Sequence, residues 1–100
     1  MFTMKIALAQ LKLGRGTLAE NLIKAEDWCR QAADQGADLI LLPELWASGY
    51  DLKNGEEYAA KRGEGNFSLM ENWAEKYDIS IGGSLLEQGD KGIFNTFALY

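Results

Sequence analysis

The hydrophobic positions of this chain change period several times, and the changes mark its elements. From Lys5 to Leu13 both faces are apolar, with Ile6 and Leu8 on one and Ala7, Ala9 and Leu11 on the other. A strand covered on both sides reads this way, as parallel strands flanked by helices do. Leu13-Gly14-Arg15-Gly16 breaks the strand. Leu18, Leu22, Ala25, Cys29 and Ala32 then recur at spacings of four and three, predicting a helix from about Leu18 to Gln35. Thr17-Leu18-Ala19-Glu20 has the capping-box pattern, with Thr17 as N-cap and Glu20 at N3. Gly36 suits the left-handed position that ends a helix. Asp38 to Leu42 is a second apolar strand, so the front of the chain is a βαβ unit with an expected right-handed crossover.

Further on, Gly55 to Arg62 reads as a short helix and Gly63-Glu64-Gly65-Asn66 as a loop. Ser68-Leu69-Met70-Glu71 repeats the capping-box pattern and predicts a helix to about Tyr77, with Leu69, Trp73, Ala74 and Tyr77 inward. Asp78 to Glu87 is the third strand, interrupted by Gly82-Gly83, where backbone or ligand can approach closely. Gln88-Gly89-Asp90-Lys91-Gly92 is turn chemistry, and Ile93 to Tyr100 completes a hairpin as the fourth strand. The chain stops on the apolar run Phe97-Ala98-Leu99-Tyr100, which native domains seldom end on. The expectation is therefore residues 1–100 as the front portion of a longer protein, cut after its fourth strand.

The stretch with most chemical content follows the second strand. Asp38 to Leu42 delivers a carboxylate, Glu44, just past Pro43, ahead of the aromatic and glycine-bearing segment Leu45 to Tyr50. Ligands of α/β sheets bind beyond the carboxyl ends of the strands, so an acid there is a site candidate. Taken alone, Pro43-Glu44 is a weak signal that reads first as a solvent-facing acid after a strand; the sharper reading is a general base in a partly desolvated cleft. Trp46 and Tyr50, which follow it directly, are candidates for a pocket wall, with Tyr50 a candidate substrate-binding residue.

Composition narrows the classes. In 100 residues there is no histidine and one cysteine, which removes His-based triads, His metal sites, internal disulfides and cysteine-rich zinc sites. The lone thiol fits a reducing, cytoplasmic setting. A net charge of −5 and a pI near 4.6 argue against nucleic acid, whose phosphates demand a basic face. No apolar run approaches the ~20 residues of a membrane span. Cys29 lies mid-helix on the apolar stripe, where a thiol acts as a small hydrophobe rather than a nucleophile. Trp73 and Tyr77, at helical spacing, read as core. Gly14-Arg15-Gly16-Thr17-Leu18-Ala19 formally fits the G-x-G-x-x-A dinucleotide fingerprint, with Glu44 near the place of a ribose partner. The same glycines serve a plain turn, so a nucleotide-binding βαβ module stands as one alternative, and a non-catalytic fragment or interaction protein as another.

The order of these features resembles the nitrilase superfamily, the carbon–nitrogen hydrolases. The carrying residues are Lys5-Ile6-Ala7-Leu8-Ala9-Gln10, Asn21-Leu22, the block from Gly36 through Pro43-Glu44-Leu45, Gly49-Tyr50, Ile81-Gly82-Gly83 and Phe94-Asn95-Thr96. Within the superfamily the chain looks most like the amidase branch that includes the omega-amidases. The resemblance implies an α/β fold, the N-terminal part of a four-layer α-β-β-α sandwich. It also implies amide or nitrile hydrolysis through a cysteine thioester, using a glutamate, a lysine and a cysteine. Glu44 matches the first glutamate, the base that takes the thiol proton, while the lysine and cysteine follow the fourth strand in the family. The substrate implied is a small amide or nitrile, possibly the omega-amide of a dicarboxylate. Neither cofactor nor metal is implied, and the family is usually homo-oligomeric.

Overall fold

The computed structural model describes residues 3–14 and 17–100. Its elements are β1 (Ile6–Leu8), α1 (Leu18–Asp34), β2 (Leu39–Leu41), a 3₁₀ turn (Leu52–Asn54), α2 (Gly55–Tyr58), α3 (Gly65–Tyr77), β3 (Ser80–Gly89) and β4 (Gly92–Leu99). They form one sheet in the order β1-β2-β3-β4, parallel through β3 and antiparallel at the β3–β4 hairpin. The expected βαβ unit and hairpin are both present, and Asp90 and Lys91 close the hairpin between paired Gly89 and Gly92.

Helices α1 and α3 cover one face. Ile40, Ile81 and Leu85 point into that layer, meeting Ala25, Cys29 and Ala32 of α1 and Phe67, Met70 and Trp73 of α3. The alternate side chains point the other way: Ile6, Leu8, Phe97 and Leu99 all lie exposed on the face that α1 and α3 do not cover. The described residues thus supply one sheet and one helical layer of an α/β architecture. Past the end of β2 the chain makes an excursion and returns to β3 at Ala60, which pairs beside Glu87. There Gln88 N–H donates to Ala60 O at 2.8 Å and Ala60 N–H to Leu86 O at 3.2 Å.

Several boundaries differ from the sequence reading. The first strand is shorter than Lys5 to Leu13; Ala9 N–H makes a ladder-like bond to Leu41 O at 3.0 Å, but the backbone beyond is irregular while Leu11 and Leu13 still pack on the core. Neither capping box forms. Thr17 makes no side-chain cap, and its hydroxyl oxygen is buried without a partner. Helix α3 opens at Gly65 rather than at Ser68, because starting earlier brings Phe67 into the core beside Met70. A cap typically stabilises by ~1 kcal/mol, less than the ~1.5–3 kcal/mol from burying a Phe or Met side chain. At the other end of α1 the glycine reading holds: Gly36 has φ +80°, with Gly36 N–H bonded to Ala33 O and Ala37 N–H to Ala32 O, both at 3.0 Å.

Candidate active site

Leu42 N–H donates to Gly82 O at 2.8 Å, which carries the β2 ladder up to Pro43 and no further. Pro43 has no N–H to continue it. Glu44 follows, exposed, at the carboxyl end of β2. It lines a concavity of about 330 Å³ with Leu42, Ser84, Asn95 and Phe97. Ser84 and Phe97 are register partners in the hairpin, and Asn95 lies two residues along β4 on the same face. The cleft therefore opens on the face opposite α1 and α3.

The segment after Glu44 is held firmly. Leu45, Trp46, Ala47 and Ser48 are all buried. Leu45 N–H donates to Ser84 Oγ at 2.9 Å, and Asn21 Nδ2 donates to Ala47 O at 3.0 Å. Asn21, fully buried on α1, also donates to Gly14 O at 2.8 Å and accepts from Gly14 N–H at 3.0 Å. One amide thus joins the β1–α1 turn, α1 and the Glu44 loop. Gly49 N–H returns to Leu45 O at 3.1 Å, closing a turn. Leu45 and Tyr50 adopt left-handed backbone, φ +49° and +69°. For residues other than glycine this conformation costs of order 1–3 kcal/mol and persists only where the surroundings over-determine it.

Beyond Tyr50 the loop is fixed by a buried acid. Asp51 accepts from Asn54 Nδ2 at 3.0 Å and from the Tyr58 hydroxyl at 3.0 Å. Burial first, and then this bond, push the Tyr58 hydroxyl above its ordinary range. These groups brace the excursion.

The candidates from sequence are distributed as follows. Glu44 sits in the cleft; Tyr50 is half exposed and does not line it. Trp46 is no pocket wall: it is wholly buried, its ring centroid 5.5 Å from that of Trp73. Gly82-Gly83 admits side chains rather than a ligand or backbone, since a Cβ on Gly83 would lie 3.1 Å from Trp46 Cδ1. Cys29 is fully buried in α1, and burial, followed by the charge of Glu26, pushes its thiol up to about 12, so it is no thiolate at neutral pH. In the glycine turn, Gly14 has both backbone groups bonded to Asn21, while Arg15 and Gly16 lie outside the described residues. Sequence reasoning missed Asn21, Ser84 and Asn95 as parts of the site. Asn21 had a signal: it continues the Ala25, Cys29, Ala32 stripe upward by one turn, a polar residue at a core position.

A larger concavity, about 670 Å³, lies at the opposite end of the sheet, where Asp38, Glu71, Glu75 and Asp78 line it with Tyr100. It is at the amino ends of β2 and β3, away from the end where such sheets bind ligands. Among the described residues no group of three or more His, Cys, Asp or Glu side chains is arranged to hold a metal ion. None of their helices is long and apolar enough to cross a membrane.

This geometry, an acid at the carboxyl end of the second parallel strand on a braced loop, coincides with a match of the carbon–nitrogen hydrolase family profile to residues 5–100. The chain belongs to the carbon–nitrogen hydrolase family. It is 36% identical to omega-amidase NIT2 of Homo sapiens over 101 residues, covering 100% of this chain and 36% of that relative. It is 34% identical to 2-oxoglutaramate amidase of Bacillus subtilis over 92 residues, covering 91% of this chain and 35% of that protein. The chain thus spans about a third of the length of these relatives. A superfamily member from Xanthomonas campestris, solved with an arsenic adduct in its active site, superposes with TM-score 0.83 at 22% identity, over 100% of this chain and 40% of that one. An amidase from Nesterenkonia sp. superposes with TM-score 0.74 at 27% identity, over 96% and 37%. Family membership makes the nitrilase-like fold the frame in which this sheet is read.

Proposed function

We propose that this chain carries the general-base carboxylate, Glu44, of an amidase that hydrolyses the carbon–nitrogen bond of a small amide, the omega-amide of a dicarboxylate. The observation that carries the reading is the placement of Glu44, at the mouth of a cleft and on a loop anchored at Leu45 and Ala47. Omega-amidase and 2-oxoglutaramate amidase relatives support the substrate class. In the reaction Glu44 takes the proton of a cysteine thiol, and the thiolate sulfur attacks the amide carbon. Collapse of the tetrahedral adduct breaks the carbon–nitrogen bond, with Glu44 returning the proton to the departing ammonia. Water then cleaves the thioester to carboxylate and thiol. A free thiol with a pKa near 8.5 is only a few per cent thiolate at neutral pH, so a paired base matters. Cys29, buried and protonated, is not that thiol; the resemblance puts the nucleophile and the oxyanion-stabilising lysine after the fourth strand.

The test is ammonia release by the complete protein from succinamate, from simple aliphatic amides and nitriles, and from peptides. Preferential turnover of succinamate supports the reading. Activity confined to nitriles or peptides contradicts the substrate class, and calorimetric binding of NAD without any hydrolysis would favour the nucleotide module instead.

A further inference from the structure

The peptide that follows Glu44 leaves the sheet with its N–H in a buried place. No backbone carbonyl accepts from Leu45 N–H among the hydrogen bonds of the described residues; Ser84 Oγ does, at 2.9 Å. Ser84 is not part of the loop. It lies in the middle of β3, paired with Phe97 of β4, so its Cα is fixed by the hairpin and its hydroxyl projects into the Glu44 cleft. One bond from a rigid strand thus sets the plane of the Glu44–Leu45 peptide. That plane fixes the backbone torsion leading from Glu44 into the left-handed turn at Leu45.

We propose that Ser84 is a positioning residue for Glu44: its hydroxyl fixes the peptide that aims the carboxylate across the cleft. This rests on the reading of Glu44 as the base. Without the hydroxyl, the Leu45 N–H is a buried donor with no acceptor, and the peptide gains by rotating toward water. The rotation carries the Glu44 side chain with it. Misplacement of a catalytic group by about 1 Å costs roughly 10²-fold in rate. The effect falls on the chemical step, since Ser84 acts through Glu44.

The experiment is a double-mutant cycle in the complete protein, reading kcat and KM for succinamate. Ser84→Ala is expected to lower kcat by about 10- to 100-fold with KM changed less than about 2-fold. Ser84→Thr, which keeps the acceptor on a residue suited to a strand, is expected to restore most of the rate. In a Glu44→Gln background, Ser84→Ala is expected to change the residual kcat by less than about 3-fold, because the group it aims is gone. Should the alanine variant not fold, Ser84→Cys, of similar shape but with a weak acceptor, replaces it. Unchanged kcat in Ser84→Ala, a loss that multiplies fully in the Glu44→Gln background, or a raised KM with intact kcat would each overturn the proposal. If Glu44→Gln alone turns over like wild type, the base reading fails first; if Glu44→Gln is crippled and Ser84→Ala is not, only the positioning role fails.

Discussion

On the helix side of the sheet, Ile40 and Ile81 are 0% exposed; on the other side Leu8, Phe97 and Leu99 stand 61–66% exposed. The two sets come from one sheet, β2 and β3 supplying the first and β1 and β4 the second. Paired Ser84 and Phe97 lie on the open side, while Gly83, a residue away, faces Trp46 and Leu42. Alternation explains the geometry, but the consequences differ in kind. The covered side holds packed side chains that resist any change in volume. The open side carries an apolar surface and, at its margin, residues that line the candidate cleft: Glu44, Ser84 and Asn95. The packed core lies on one face and the candidate cleft on the other, and the Glu44 loop joins them. Trp46 anchors it in the core while Glu44 reaches the cleft.

The strongest way to break this contrast is a pair of aromatic truncations. Trp46→Ala on the covered side is expected to cost ~3–5 kcal/mol, as deletions of large buried aromatics do. Phe97→Ala on the open side is expected to cost under ~1 kcal/mol in the isolated chain. Equal losses in denaturant unfolding would erase the distinction. The adjacent glycines give a finer version. Gly83→Ala would put its Cβ 3.1 Å from Trp46 Cδ1 and 3.2 Å from Leu42 Cβ, both in the packed layer; an overpacking loss of ~1–3 kcal/mol is expected. Gly82→Ala meets Leu41 Cδ2 and Phe97 Cζ at 2.9 Å, the far ends of side chains on the open side that can turn aside. Its cost should be smaller, and a reversed order in melting temperatures would show that the open side is as rigid as the covered one.

The smallest effect concerns how the two covering helices are joined. The Tyr77 hydroxyl donates to Glu26 Oε2 at 2.6 Å, and Lys76 Nζ to the same oxygen at 3.2 Å. These contacts, Tyr77 first and Lys76 after it, hold the Glu26 carboxyl below its ordinary value of 4.5. A carboxylate whose pKa is lowered by folding contributes stability that is full above its unfolded value and is lost as pH falls through the folded value. The stability gap between wild type and Glu26→Gln should therefore close on acidification from neutral pH to below 4.5. Because the pair is partly exposed, the gap should not exceed ~1 kcal/mol. A gap that widens in acid would contradict the tie between α1 and α3.

What the sequence disclosed divides along similar lines. The βαβ unit, the α1 stripe, Gly36, the hairpin and Cys29 as core follow from periodicity and turn chemistry, which act locally. Glu44 was visible because Pro43 and the end of an apolar run place it beyond a strand. The capping boxes misled because a local signature offers one hydrogen bond, whereas moving the start of α3 to Gly65 puts Phe67 in the helix, where it is fully buried. Trp46 was ambiguous since an aromatic after a catalytic-looking acid packs equally well inward or outward, and only the small surface of Gly83 decides it. Ser84 was hidden for another reason: its bond to Leu45 spans 39 residues, and no local pattern carries a contact of that range.

The central claim, that Glu44 at the meeting point of the two faces is the base, is tested most directly by Glu44→Gln in the complete protein. The side chain is exposed and Leu45 keeps its bond to Ser84, so unfolding should be unchanged within ~0.5 kcal/mol. The kcat for succinamate is expected to fall by about 10²-fold or more while the protein remains folded. Near-normal turnover by the folded variant would remove Glu44 from the reaction.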